Sequence, residues 1–555
     1  MKKFLMLILM LSVVPAVVAS NCTACCPVDD SCCPKVCESS CQPNGCCPDD
    51  CEELDPCDCR VSAHSFFRVR PQFQGASPEK RSFWGMDRMY ARIDGKHGAF
   101  QVVPFGGRSG EARRLASYFM PFCKAELLVQ GGGDPDTADR DIDARVFNIH
   151  TTDVNVNFKS RICFRPQQSV AGVGLNWRQK LSRNDEEKGF WFEASMPIVR
   201  VRNAVKLSET VLESGGSVDT TDYPTAQANM TSAFQQAAFN FGRVPCNCND
   251  GLSKTGVADL DLRIGYGWMG DAICNMESYL GVLIPTGNKV TGCNIFEPIV
   301  GHNHHVGFEF GSSFAYQVWI NEEKERALWI ETSIHSIYFD KNTQRRSFDV
   351  KYSPWSRYLP VYTSFAQAQA ANTASMTNKG YTLYTPGINV FTQDVKVHGR
   401  FQRTLNTAIA YQSSHFMAEG GYNFFVRDAE CVELCNWCNT VAFLADSSVD
   451  SASTGDAIGA TNRFRSINKQ NTDNDKVFLA DGSNYNATVI KQEDLDLSSA
   501  AAPAQMQHTF YGTVGYRWDD REYPLFVSLG GSYEFASDNS GMDRWLVWGK
   551  IGMSY

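Results

Sequence analysis

Apolar and polar residues alternate along several long stretches of this chain. Leu260, Leu262, Ile264, Tyr266 and Trp268 share one parity, and Asp259, Asp261, Arg263, Gly265 and Gly267 the other. A longer run sets Val306, Phe308, Phe310, Ser312, Phe314, Tyr316, Val318 and Ile320 against His305, Gly307, Glu309, Gly311, Ser313, Ala315, Gln317 and Trp319. A period of two is that of a strand, because a helix would need apolar residues three and four apart. The pattern returns at 510–518, 525–535 and 545–555, separated by a polar turn at 519–522 and a loop at 536–543, and this predicts a meander of hairpins. The stretch 416–427 is a further strand. Shorter alternations predict strands near 96–106, 145–150, 154–165, 170–178, 190–201, 279–284, 327–339, 347–352 and 391–401. Helical spacing at 108–120 and 223–241 predicts short helices in loops. The windows 353–388 and 440–505, rich in Ser, Thr, Asn, Asp and Ala, predict long loops.

Strand length separates two all-β classes. Strands of soluble sandwiches average about five or six residues, whereas a tilted strand of about ten crosses a bilayer core. The runs here are of the second kind. Their apolar parity carries no charge in 260–268, 306–320 and 510–555, and Trp268, Trp518, Phe535 and Trp545 stand at strand ends, where aromatic girdles meet the membrane interfaces. The expected architecture is therefore all-β: a closed antiparallel transmembrane barrel with long external loops. At about 25 to 35 residues per strand and loop, an even number of roughly 12 to 18 strands is expected.

The beginning of the chain is different. Lys2 and Lys3 precede an apolar run from Phe4 to Val18 and small residues near Ala19 and Ser20, the plan of a cleaved secretory signal over residues 1–20. Residues 21–60 form an acidic, cysteine-rich segment with Cys22, Cys25, Cys26, Cys32, Cys33, Cys37, Cys41, Cys46, Cys47, Cys51, Cys57 and Cys59. With almost no large apolar side chains it cannot hold itself by a core. In an exported chain its cysteines read first as a disulfide framework, then as cross-links to neighbouring molecules, and last as a metal site. Residues 61–95, basic and aromatic, read as a lead-in at the barrel mouth or a plug inside it, and 96–555 as the barrel. The cysteine-rich segment carries −7 of the net charge of −9, so the body is close to neutral. That balance argues against nucleic acid as a partner.

These features resemble Gram-negative outer-membrane β-barrels of the porin kind: the export signal, the final meander, and an end in which Ile551 and Met553 alternate up to a terminal aromatic, Tyr555. The resemblance implies that these three residues act as the signal read by the barrel-insertion machinery, and that the protein lies in the bacterial outer membrane in contact with its lipid. The twelve-cysteine segment departs from ordinary porins and is similar to the disulfide-rich envelopes of some intracellular bacteria.

No nucleophile elbow, Walker loop, His-Glu-x-x-His or dinucleotide fingerprint appears, so neither an enzyme nor a cofactor or metal is expected. Cys431, Cys435, Cys438, Cys246 and Cys248 read as loop disulfides, and Cys274 with Cys293 as a further pair. His302, His304 and His305 read as a hydrated loop. Parity assigns Asp259, Asp261, Arg263, Glu309, Glu331, His335, Glu419, Arg427, Arg517, Glu534, Arg544 and Lys550 to the lumen. Mixed charges across a wet hole select small hydrophilic solutes by charge and size, so passive diffusion is the expected function. The rival is a structural envelope protein cross-linked through its cysteines, or an adhesin, with the barrel as anchor and homo-oligomers or disulfide-linked neighbours as partners.

Overall fold

The computed structural model describes residues 63–84, 98–131, 140–152, 157–181, 188–221, 223–245, 251–270, 273–351, 353–363, 384–434, 437, 443–444, 490–537 and 540–555. Twelve strands make one closed antiparallel barrel: β1 (Gly98–Ser109), β2 (Gln167–Lys180), β3 (Gly189–Ala204), β4 (Leu260–Gly270), β5 (Cys274–Ile284), β6 (Gly307–Asn321), β7 (Arg326–Ser347), β8 (Thr392–Ser413), β9 (Phe416–Arg427), β10 (Gln505–Trp518), β11 (Leu525–Ala536) and β12 (Arg544–Ser554). Each pairs with the next along the chain, and β12 closes on β1 from Ala99↔Ser554 to Ser109↔Arg544. Closure leaves the wall no edge with unpaired backbone groups, which hydrocarbon would not tolerate.

The side chains sort by parity as a membrane wall requires. Leu280, Leu529 and Ile551 are 67%, 66% and 62% exposed, and Phe308, Phe510, Val514, Val547 and Trp545 lie on the same outward face. A soluble protein does not present an unbroken apolar band of this kind to water. The alternate positions, among them Asp261, Arg263, Glu309, Thr513 and Lys550, are buried inside the barrel.

The two ends differ. The connections 181–188, 271–273, 322–325, 414–415 and 519–524 are short and share one end with Gly98 and Tyr555. The backbone N–H of each of those two residues donates to the carbonyl of the other, sealing the barrel ends together. The connections 110–166, 205–259, 285–306, 348–391, 428–504 and 537–543 emerge at the opposite end. In outer-membrane barrels short turns are periplasmic and long loops external.

The long connections pack into a cap on the loop end. A four-stranded sheet (Glu126–Gln130, Ile142–Asp143, Lys159–Phe164, Leu207–Glu213) covers a core containing Phe119, Phe147, Phe164, Phe234, Trp355 and Tyr358. Phe234 and Phe119 meet the Trp355 ring edge-on at 5.9 and 5.5 Å between centroids. The expected strand near 145–150 is instead a 3₁₀ turn, Ala144–Phe147, because the Asp143 carboxylate accepts from Arg145 N and Asn148 ends it in the left-handed region. The helix expected over 108–120 forms as Arg113–Phe119. That over 223–241 shrinks to Met230–Ala233, started by the Asn229–Ser232 capping box, and its aromatics Phe234 and Phe239 turn into the cap core.

Candidate functional site: the barrel lumen

The lumen is occupied by the chain itself. Residues 63–84 enter from the cap and descend to the turn end. At the top, His64 N donates to Tyr118 O and Ser65 N to Ser499 O, both at 2.7 Å, while Arg357 Nη1 donates to Ala63 O at 2.9 Å. Ala63 and Phe67 belong to the cap core. Lower down, Arg70 donates to Glu534 Oε2 (2.9 Å) and Asn423 Oδ1 (2.8 Å), and its carbonyl accepts from Arg544 (3.0 Å). Phe73 stacks on Phe105 with centroids 6.2 Å apart. Its ring fits because the wall opposite is glycine: a Cβ on Gly174 would lie 2.3 Å from it. Gly75, with φ +60°, turns the chain against the His335 ring. A helical turn, Pro78–Arg81, then presents Lys80. At the turn end, Phe83 N donates to Glu419 Oε2 at 2.8 Å, the Phe83 ring clusters with Trp329 and Met417, and Trp84 with Ala99 and Phe526.

Around Lys80 lies a buried layer of charge. Its ammonium is 2.9 Å from Asp261 and 3.5 Å from Glu193. Arg263 pairs with Asp261 (2.6 Å), Glu309 (2.9 Å) and Glu193 (3.8 Å). Arg178 pairs with Glu277 and stacks over the Trp191 ring at 3.9 Å. Buried charges are tolerable only when paired in this way. Two small cavities lie beside the segment, one at Arg81, Glu331 and Asn406 and one at Arg70, Thr509 and Glu534, each of about 20 Å³, room for about one water.

The lumen-assigned residues are not one constellation. Asp261, Arg263 and Glu309 meet in the charge layer. Glu534 and Arg544 pair with each other at 2.8 Å around Arg70. Glu419 accepts from Tyr511 as well as Phe83, and Lys550 donates to the carbonyls of Lys80 and Ser82. His335 bonds the Tyr279 hydroxyl at 2.9 Å. Asp259 sits at the loop end and accepts from the His302 ring and backbone. Arg427 donates to the carbonyls of Arg68 and Pro503, and Arg517 pairs with Asp519 at the turn end.

Sequence reasoning missed Glu193, Arg178 and Glu277. In β3 both parities carry aromatics, Phe190 and Phe192 against Trp191, which blurred the alternation. Arg70 and Lys80 lie off the strands, where parity says nothing. The available signal was an inward excess of acids that needed cations from elsewhere.

Several expectations are corrected. His302 and His305 are buried, not hydrated; only His304 is exposed. Cys274 begins β5 at the turn end while Cys293 lies beyond its other end, so the length of the strand keeps them from pairing. Cys431 is disulfide-bonded. Cys246, Cys248, Cys435, Cys438 and the twelve cysteines of 22–59 lie outside the described residues, as do the export signal and much of the window 440–505. Ile551 and Met553 are on the outward parity of β12, and the Tyr555 ring covers Gly98.

Wall, ends and faces define an outer-membrane-type β-barrel with an occupied lumen. No protein-family model and no curated protein matches the sequence. Among solved structures, the chain is similar to an outer-membrane channel from Pseudomonas putida F1 (TM-score 0.37, 9% identity, 84% of this chain and 98% of that one). It is similar also to the transport unit of the autotransporter AIDA-I from Escherichia coli (0.30, 7%, 85% and 94%) and to a Pseudomonas aeruginosa FadL homologue (0.28, 9%, 83% and 90%).

Proposed function

We propose that the protein is an outer-membrane channel for small hydrophilic solutes that is closed by its own residues 63–84. The supporting observation is the pairing of the lumenal charges with that segment, Lys80 with Asp261 and Glu193 and Arg70 with Glu534. While the segment is seated, the cavities beside Arg81 and Arg70, about 20 Å³ each, are too small for a solute. Once it is displaced, the wall presents Glu193, Asp261, Glu277 and Glu309, only partly neutralised by Arg178 and Arg263 beside them, an acidic layer that sorts solutes by charge and size without turnover. Seated, the segment supplies cations to carboxylates that are buried with it, so wall and segment are neutralised together in the closed form.

Planar-bilayer recording of the full chain tests this. The wild type gives small or brief currents, and the Arg70→Ala, Lys80→Ala double variant gives large, steady ones. A double variant that inserts as a folded barrel and stays tight overturns the channel reading. That result would favour the second reading, a barrel that serves only to anchor a cysteine-rich surface layer, to which the filled lumen also lends support.

A further inference from the structure

We infer that the chain ahead of Ala63 leaves the barrel at the loop end, so that the cysteine-rich residues 22–59 are presented on the outer face of the membrane together with the cap. The direction of the lumenal segment carries this. Ala63, His64 and Ser65 are fixed to Arg357, Tyr118 and Ser499 of the cap, whereas Trp84 packs on Ala99 and Phe526 at the turn end, where Gly98 starts the first strand.

A return to the turn end is closed to the preceding chain. Among the described residues, 63–84 occupy the lumen, and the cavities beside Arg81 and beside Arg70 are about 20 Å³ each, too small for a second pass of polypeptide. The wall has no gap, since all twelve strands pair around the ring. Passage outside the wall would carry an acidic segment through hydrocarbon, which is prohibitive for Asp and Glu. With long loops external, the segment faces the surroundings of the cell.

The placement limits what its cysteines can meet. Within this chain they share a compartment with Cys163 and Cys293 of the cap and are separated by the membrane from Cys274 at the turn end. Beyond this chain, their disulfide partners are thiols on the outer surface, a second copy of the same segment first among them. The inference rests on the path of residues 63–84 and stands whether or not the barrel conducts.

A sequence-specific protease site inserted into the full chain after Arg60, after Ser214 in the cap, or after Asp520 in a short turn tests it, with protease added to cells whose outer membrane is intact. The Arg60 and Ser214 sites are cut and the Asp520 site is cut only after the membrane is opened. An Arg60 site that becomes accessible only together with the Asp520 site overturns the inference. A second readout needs no insertion. After treatment with membrane-impermeant reductant and maleimide, peptides of 22–59 carry label on intact cells; label that appears on them only after the membrane is opened overturns it equally.

Discussion

Lys80 of the lumenal segment and Asp261 of β4 stand 2.9 Å apart, with 0% and 1% of their side chains exposed. The pair joins a segment with no strand structure to the wall at the layer where Arg263 and Glu193 also meet. It is the clearest reason that this barrel, lined with charge as a pore would be, is shut.

Replacing Lys80 by Met leaves Asp261 and Glu193 to share Arg263. The expected loss is about 3 kcal/mol, the low end for a broken buried pair, because Arg263 still compensates Asp261. Lys80→Met combined with Asp261→Asn should cost less than the sum of the single changes. The thermal midpoint of heat-modifiable gel mobility for the four proteins checks this; strict additivity would mean that the contact contributes nothing.

Gly174 faces the Phe73 ring, and a side chain there would sit inside it. Gly174→Ala should destabilise the seated segment by roughly 1–3 kcal/mol through overpacking while leaving β2 paired, since alanine fits a strand backbone. In a Phe73→Ala background the same substitution should be close to neutral. Unfolding midpoints of the single and double variants measure the coupling, and equal penalties in both backgrounds would contradict it.

Leu529 lies near the middle of β11 and is 66% exposed. If that exposure is to hydrocarbon, Leu529→Arg costs roughly 2–4 kcal/mol for folding into a bilayer. The same change in a protein dissolved in water would be nearly neutral at so exposed a site. Reversible folding into phospholipid vesicles, followed by tryptophan fluorescence, distinguishes the two.

The His305 imidazole, in the connection between β5 and β6, is pushed down to about 4, mainly by burial and then by the Arg68 charge. Its Nδ1–H donates to Asp340 O, leaving Nε2 to accept from Gln344, an arrangement that suits the neutral ring. The unfolded segment, with an ordinary histidine near 6.5, takes up the proton first. The stabilisation is therefore complete above pH ~6.5 and is lost as pH falls through about 4, roughly 3 kcal/mol in all. Burial lowers the His302 ring too, so it adds in the same sense. Asp349 of the cap acts oppositely: burial raises its carboxyl to about 6, so its contribution favours folding as pH falls below that value. Hydrogen exchange resolved to residues 285–306 should quicken between pH 6.5 and 4 in the wild type and less so in His305→Gln. A pH-independent wild-type rate, after correction for intrinsic exchange, would refute the assignment.

Much of the wall could be read from the residues alone. Val306 to Ile320 and Phe510 to Tyr555 reveal their two faces because the alternation of a strand is a local property: each side chain's direction follows from its position in the chain. The cap was hidden because helical spacing in 223–241 gave way to the burial of Phe234 against Trp355 and of Phe239 against Tyr358, residues more than a hundred positions away. His302 and His305 were misjudged for the same reason. A histidine-rich stretch looks hydrated until Asp259 and Gln344, from other segments, supply its partners.

The class of fold, and the lipid-facing side of the strands at 260–268, 306–320 and 510–555, were legible in the residues alone, since period, strand length and uncharged outward parity are written within single segments. That the lumen is occupied, and by which residues, emerges only from the folded chain. Arg70 reaches Glu534 and Lys80 reaches Asp261 across separations that no local pattern spans. A charge facing inward looks the same along the chain whether its counterpart is water, a passing solute or a buried cation.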